Sequence, residues 1–149
     1  MIELQEPSDL MVIPERVTPA GIKLDDRKLH GGLGFENMFD CFVYNGLNEA
    51  ETRSKYYRQT SFIENDLTPV VDTTLTDCFT MYNLKVENAC EVDFNGRYAV
   101  GVVIEGGVKI SDDSGSSEFK KGDSFFVTAN SGKIILNGNG KVVFCSTKK

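Results

Sequence analysis

Few side chains in this sequence have the type and spacing that metal or nucleophilic chemistry requires. His30 is the only histidine in 149 residues. Zinc and iron sites usually take three or four protein ligands, so a single imidazole without Cys, His or Glu at ligand spacing does not predict a metal centre. A Ser-His-Asp or Cys-His system would also have to be built around His30. We therefore interpret His30, which lies beside glycines in a loop, as incidental to catalysis.

Two acidic pairs and one group of glycines allow weaker hypotheses about ligands. Asp25-Asp26 and Asp112-Asp113 could bind a hard cation, but calcium loops alternate their oxygen ligands and end in a bidentate Glu, a spacing absent here. The glycines of Gly31–Gly34 could surround a phosphate ahead of a helix, yet neither the P-loop nor the dinucleotide pattern is present. We interpret the acidic pairs as turns or solvated loops, and the glycines as a loop.

Arg16 is the most suggestive charged residue, because Glu15 precedes it and Ser8-Asp9 lies a few residues earlier. A guanidinium at the end of a strand can hold a phosphate or a developing enediolate oxygen, and a neighbouring carboxylate can position it or move protons. The alternative is a surface ion pair, which contributes little to stability. The residues alone leave both interpretations open.

Short apolar runs in the second half of the chain predict a β-rich body. Each run ends in a turn signal rich in Gly, Asn, Asp or Ser, such as Glu105-Gly106-Gly107 or Asn137-Gly138-Asn139-Gly140. Short strands at such regular spacing predict a mainly β fold, an antiparallel sandwich or barrel. The runs are Tyr98–Ile104, Val108–Ile110, Ser124–Thr128, Lys133–Leu136 and Lys141–Cys145.

Further strands are predicted immediately before this body. Asp77–Glu87 alternates apolar and polar residues, as expected for a sheet with one solvated face. Shorter strands are predicted at Ser61–Glu64 and Val70–Thr73. Asn95-Gly96 is the strongest hairpin signal in the chain.

Two short helices are predicted between the strands of the first half and this body. Phe35–Tyr44 has apolar residues at helical spacing along one face. Asn48, followed three residues later by Glu51, forms a capping-box signature that predicts a second helix over Glu49–Arg58. We expect these helices to form a short linker.

The first residues have strand character at Ile2, Leu4 and Met11–Ile13. A strand that begins at residue 2 has no room for a preceding partner, which suggests a truncation or a missing upstream segment. It would also leave an unpaired edge that could recruit another chain.

Composition excludes several function classes. The formal charge of −6 argues against binding to a nucleic-acid backbone, which needs a basic surface. No apolar run approaches the ~20 residues needed to cross a bilayer, and the start does not resemble a secretory signal. The cysteines show no CxxC spacing and are interpreted as small buried thiols in a reducing compartment, so we expect a cytoplasmic protein. They are Cys41, Cys78, Cys90 and Cys145.

Three stretches together resemble one family. They are Ile2–Asp9 (IELQEPSD), Phe39–Leu47 (FDCFVYNGL) and Lys121–Ala129 (KGDSFFVTA). They are similar to the carboxyl-terminal half of class I mannose-6-phosphate isomerases, which are built from two cupin-like jelly rolls. The resemblance runs over essentially all 149 residues. It implies terminal strands of a truncated preceding cupin half at 1–21, a loop and two-helix linker at 22–60, and a cupin-like jelly roll at 61–149.

The family resemblance also implies a chemistry. In that family zinc, held by a Gln, two His and a Glu, acts as a Lewis acid while mannose 6-phosphate and fructose 6-phosphate interconvert. All four ligands precede the part of the family's chain that matches Ile2–Asp9, so the complete enzyme uses zinc whereas no metal or cofactor is expected in this chain. The catalytic residues that carry over by resemblance are Asp9, matching a Ser-Asp acid, and Arg16, matching the arginine that follows it.

Three functional hypotheses remain open at this point. The first is a copy of the isomerase's carboxyl-terminal half that cannot perform the reaction alone, with sugar phosphate as its small-molecule partner. The second is a non-catalytic sugar-binding or regulatory cupin. The third is a structural half that pairs with a separate metal-bearing chain through the exposed N-terminal strand, or a homo-oligomer. Nucleic-acid and membrane partners are not expected.

Overall fold

The computed structural model describes residues 2–5 and 11–148 and divides the chain into two compact units. One unit spans Met1–Glu6 and Gln59–Lys149, and the other spans Pro7–Arg58. The larger unit contains the β-strands, and the smaller contains the α-helices. The domain division proposed from the sequence stays a prediction.

Six strands occur in the described part of the larger unit, and all pair in antiparallel fashion. Their order in the sheet is β1-β2-β6-β3-β4, with β5 beside β3. This arrangement confirms the predicted mainly β, antiparallel fold. The strands are β1 (Thr68–Val71), β2 (Phe79–Asp93), β3 (Ala99–Asp112), β4 (Gly115–Lys120), β5 (Ser124–Val127) and β6 (Lys133–Thr147).

Strand β6 lies between β2 and β3, and its pairing requires the sheet to roll. Asp93 at the end of β2 faces Lys133, whereas Ala99 at the start of β3 faces Ser146. In a straight strand Lys133 and Ser146 would be roughly 45 Å apart. The chain from Asp93 to Ala99 can span only roughly 20 Å. The two ends of β6 must therefore converge, which bends the sheet into a jelly-roll shape.

Aromatic contacts inside the sheet are consistent with this bend. Tyr82 and Phe94 belong to opposite ends of the β2 region, yet their ring centroids are 6.4 Å apart. Phe94 also contacts Phe144 of β6, at 5.2 Å between centroids. Both phenylalanines are fully buried. The two halves of the rolled sheet thus share one hydrophobic core.

Glycines in neighbouring strands form the corner at which the sheet turns. Gly106 of β3 faces Gly140 of β6, and Gly138 of β6 faces Asn88 of β2. A Cβ on Gly106 would overlap the carbonyl oxygen of Asn139, and one on Gly138 would lie 2.6 Å from the carbonyl oxygen of Gly107. Gly106 and Asn88 also have positive φ values of 68° and 64°. The backbones therefore approach too closely at this corner for ordinary side chains.

The prediction that strands end at two glycine-rich turns is wrong. These turns were predicted at Glu105-Gly106-Gly107 and Asn137-Gly138-Asn139-Gly140. The structure has one continuous strand through each segment, β3 in the first case and β6 in the second. Glycine can mark either a turn or a bend within a strand where another backbone approaches. Here it marks the bend.

The predicted hairpin at Asn95-Gly96 is correct as a turn but wrong as a strand pairing. Both residues have positive φ, 54° and 74°, as a tight turn of this kind requires. However, β2 and β3 do not pair with each other, because each pairs with β6. Local residues determined the turn, whereas the later strand β6 determined the pairing.

The predicted strand Ser61–Glu64 is also wrong, because only a single bridge from Glu64 to Lys85 forms there. Asn65 follows with a positive φ of 52°, which ends any extended segment. Its side chain replaces a strand neighbour, since Nδ2 donates to the carbonyl oxygen of Glu87 and Oδ1 accepts from the Glu87 N–H, both at 2.9 Å.

The strands predicted at the amino terminus do not form in the described residues. Residues 2–5 and 11–13 have no strand structure. Pro14 has no N–H and restricts the preceding residue, so the second segment has little length over which to build a ladder. The intervening residues, including Asp9, lie outside the described part.

Both predicted helices are present in the smaller unit, as α1 (Phe35–Asp40) and α2 (Glu49–Tyr56). The capping box is confirmed: Asn48 Oδ1 accepts from the Glu51 N–H at 3.0 Å, and the Asn48 N–H donates to Glu51 Oε2 at 2.8 Å. Helix α1 is shorter than predicted. Its last hydrogen bonds tighten to i→i+3 spacing, after which the chain leaves the helix.

The corner glycines generate a stability prediction. Gly106→Ala should destabilise the fold by about 3 kcal/mol or more, because it adds a backbone overlap to a strained φ. Gly96→Ala is the matched control: φ is 74° at Gly96 and nothing lies within 4 Å of its added Cβ. The control should cost only about 1–2 kcal/mol. Urea unfolding measures both, and equal losses would show that close backbone approach does not define the corner.

A second prediction concerns pH. Glu105 Oε2 accepts a hydrogen bond from Lys141 Nζ at 2.7 Å beside the corner, which lowers the pKa of the Glu105 carboxyl below its ordinary 4.5. A carboxyl whose folded pKa is depressed stabilises the fold above its unfolded pKa and loses that contribution as pH falls through the folded value. The stability difference between wild type and Glu105→Gln should therefore be present at neutral pH and shrink in acid.

The matched control is Glu118→Gln, since Glu118 is exposed on β4 and forms no ion pair with the described residues. Denaturant unfolding of the three proteins at neutral and acidic pH makes the comparison. A difference for Glu105→Gln that does not depend on pH would contradict the assignment of this ion pair.

Candidate functional site

Arg16, a catalytic residue by family resemblance, lies on the surface of the smaller unit. Its Nη1 is 3.4 Å from Asp26 Oδ1, and its guanidinium lies 4.7 Å from the centre of the Phe35 ring. The side chain is 65% exposed. These contacts orient a cation whose outer edge faces solvent. The structure does not test a catalytic role for Arg16, and Asp9 lies outside the described residues.

His30 has a structural role in the glycine loop. Its Nδ1 accepts a hydrogen bond from the Gly34 N–H at 2.9 Å, and its ring meets Phe35 edge-on at 5.0 Å. The Gly34 N–H is thereby occupied, so it is not available to a phosphate ahead of α1. The glycine loop does not form an anion site in this arrangement.

The acidic pairs are turns, as the sequence indicated. Asp25 Oδ1 accepts from the Arg27 N–H at 2.8 Å. Asp112 Oδ1 accepts from the Ser114 N–H at 2.8 Å and from the Ser114 hydroxyl at 2.5 Å. Among residues 2–5 and 11–148, no three His, Cys, Asp or Glu side chains lie together in a group that could hold a metal ion.

A cavity of about 360 Å³ opens at one end of the rolled sheet. Its volume lies in the usual range for small-molecule sites, roughly 300–1,000 Å³. Strands β3, β4 and β5, the start of β6 and the two loops at this end all contribute to its wall. The lining residues are Ile110, Ser111, Asp112, Ser114, Gly115, Ser116, Ser117, Phe119, Phe125, Phe126, Val127, Ser131 and Ile134.

Strand register explains why the cavity has an apolar floor. Alternate residues of a strand share a face, and Val108, Ile110 and Asp112 of β3 are on one face. They pair with Phe119, Ser117 and Gly115 of β4 respectively. Val108 belongs to the buried core, while Ile110 and Phe119 pack against it. The cavity is therefore the point where the core reaches the open end of the roll.

Asp112 fixes the rim of this cavity. Besides its bonds to Ser114, it accepts from the Gly115 N–H at 3.2 Å. Hydrogen bonds from the Ser114 side chain and backbone are the main causes that lower the pKa of Asp112 below its ordinary value, and Ser131 on the facing loop contributes as well. The rim therefore contains a carboxylate that stays ionised at neutral pH.

Sequence reasoning did not find this cavity. The sequence signal that could have indicated it is the serine-rich segment Ser111–Ser117, whose residues have the composition of an ordinary turn. It becomes a rim only because the roll places it opposite Phe125 and the loop that contains Ser131. Among the residues with described structure, no helix is long and apolar enough to span a membrane.

Three solved structures illustrate the similarity to known proteins. EutQ from Clostridium difficile is 12% identical over 55% of this chain and 66% of its own, with a TM-score of 0.48. A protein from Archaeoglobus fulgidus described as a mannosephosphate isomerase is 20% identical over 50% of this chain and 25% of its own, with a TM-score of 0.47. A variant of Salmonella typhimurium phosphomannose isomerase is 18% identical over 56% of this chain and 23% of its own, with a TM-score of 0.47.

This chain thus spans about a quarter of the length of each of these two isomerase structures. No curated protein sequence matches the chain.

Residues 72–147 match the family described as "Mannose-6-phosphate isomerase, cupin domain". The matched region includes β2 to β6 and almost the whole rolled sheet, together with the glycine corner and the cavity. Because the match extends over more than half of the 149 residues, the chain belongs to the mannose-6-phosphate isomerase cupin-domain family.

Proposed function

We propose that this chain contributes a cupin scaffold without its own metal centre to mannose-6-phosphate isomerisation, and that it does not catalyse the reaction alone. Two observations together support the proposal. Residues 72–147 match the family, and the described part of the chain contains no group of side chains that could ligate a metal. Zinc chemistry would need about three protein ligands and an open position.

The interior of the rolled sheet supports this proposal. Inward-facing positions on the three long strands hold apolar side chains, including Val92 of β2, Val103 of β3 and Leu136 of β6, all almost fully buried. Buried polar side-chain atoms without a partner are absent from the described residues. An interior filled in this way stabilises the scaffold, and among the described residues it contains no group of His, Cys, Asp or Glu side chains that could hold an ion.

Isomerisation would then require a metal-bearing cupin from another part of the protein or from another chain. Arg16 is suited to assist such a site, because its guanidinium is exposed while Asp26 and Phe35 restrict its orientation. In this proposal Arg16 binds an oxygen of the sugar phosphate or of the enediol-type intermediate, with Asp9 as the accompanying acid. Both roles rest on the family resemblance.

The cysteines support a reducing compartment such as the cytoplasm. All four cysteines are free thiols, but the predicted burial is wrong for Cys41 and Cys78, which are exposed. Burial raises the pKa of the Cys90 and Cys145 thiols, so both are less reactive than an exposed thiol. Thiols in this state are typical of proteins that are not exposed to an oxidising environment.

The proposal is tested by zinc content and turnover of the purified chain. After incubation with zinc and removal of free ions, we expect substoichiometric zinc and no conversion of mannose 6-phosphate to fructose 6-phosphate above background. A complete isomerase of the family serves as the positive control for the assay.

The variant His30→Ala provides the internal comparison, since it removes the single imidazole. It should leave the zinc content unchanged, because His30 is engaged with Gly34 rather than with a metal. One zinc per chain together with turnover, lost in His30→Ala, would contradict the proposal.

A further inference from the structure

The cavity at the open end of the rolled sheet has no role in the function proposed above. Packing contacts nevertheless fix the side chains of its wall. Phe119 and Phe125 form its floor, with ring centroids 4.8 Å apart. Phe125 in turn meets Phe144 edge-on at 5.7 Å, and its ring lies so close to Gly101 that a Cβ there would overlap it. The two rings of the floor are thus fixed by packing against the core.

The rim of the cavity is rich in hydroxyl groups. Five serines line it, and some are already engaged: Ser131 Oγ is 2.8 Å from Thr128 Oγ1, and Ser114 donates to Asp112. The hydroxyl of Ser117, which shares a strand face with Phe119, forms no hydrogen bond with the described residues. Each hydroxyl can donate one hydrogen bond and accept two. The Ser117 hydroxyl is therefore available to a ligand that carries donors and acceptors of its own.

The charge of the lining restricts the ligand further. Asp112 is the only ionisable side chain among the described residues that line the cavity, and no Lys, Arg or His is present there. Because its hydrogen bonds stabilise the ionised form, Asp112 repels an anion at neutral pH. The site thus selects against phosphates and carboxylates and admits neutral molecules.

We propose that this cavity binds a small neutral polyhydroxylated molecule, such as an unphosphorylated hexose or hexitol. The C–H face of the ligand would lie against the Phe119 and Phe125 rings, whose faces carry partial negative charge. Its hydroxyls would exchange hydrogen bonds with the Ser117 hydroxyl, which lies on the same strand face as Phe119. This inference does not depend on the proposed function, because it concerns a different part of the chain and a ligand without a phosphate.

Binding is tested by titrating the ¹⁵N-labelled chain with glucose, mannose and mannitol, and separately with mannose 6-phosphate. We expect saturable shifts of amide resonances within 110–117 and 125–131 for at least one neutral compound, with a dissociation constant of about 0.1–10 mM. Mannose 6-phosphate should bind at least about tenfold more weakly than mannose.

Two leucine variants provide the matched comparison. Ser117→Leu introduces a larger apolar side chain in the lining and should weaken binding at least about tenfold. Ser124→Leu makes the same change at an exposed strand position that does not line the cavity, and should leave the affinity within about twofold. Both positions are exposed, so the amide spectra of both variants should remain those of a folded protein.

The proposal is overturned if no neutral compound gives saturable shifts in the two segments, if mannose 6-phosphate binds as tightly as mannose, or if Ser117→Leu retains the wild-type affinity. These outcomes are independent of zinc content and isomerase turnover, so a failure here is distinguishable from a failure of the proposed function.

Discussion

Close contact between backbones at one corner is the constraint on which the larger unit depends. Gly106, Gly138 and Gly140 lie where β3 and β6 cross the bend, and a Cβ on any of them would come within 3 Å of a backbone carbonyl oxygen. Without side chains at these positions, the long strands can continue through the bend as single strands. Regular hydrogen bonding is then kept on both sides of the corner.

The roll also determines where the cavity lies. It brings the inner faces of both sheet halves together, so the interior is filled by apolar side chains such as Leu84, Val103 and Phe144. Burying such a side chain contributes about 1.5–3 kcal/mol each, which favours a packed interior over an open one. One cavity lies at the open end, where the strands diverge into the serine-rich turn and the loop that contains Ser131. Scaffold stability and the position of the cavity therefore have the same cause.

Sequence reasoning succeeded where structure is set by neighbouring residues. The capping box of Asn48 and Glu51 and the tight turn at Asn95-Gly96 depend on interactions within a few positions, and both are present. It failed where pairing is long-range. The same glycine signals that suggested strand ends at Gly106 and Gly138 turned out to mark close approach to another strand, which no local pattern reveals.

The candidate sites also differ in how far the sequence could predict them. Arg16 and Asp9 came from family resemblance, and their roles remain predictions. The cavity could not be found from the sequence, because its lining combines Phe119, Phe125 and Ser131 through the roll rather than through a motif. The single histidine limits the metal ligands that the chain can supply, and the expectation that it binds no metal stays a prediction.

The rolled sheet is tested most directly by nuclear Overhauser contacts between the aromatic rings of Tyr82 and Phe94. The rings are 6.4 Å apart between centroids, although the two residues would be roughly 40 Å apart in a straight strand. We expect a clear cross-peak between the two rings, together with one between Phe94 and Phe144. Absence of both cross-peaks in the folded protein would show that β2 does not bend at the glycine corner, and would contradict the account of the core and of the cavity.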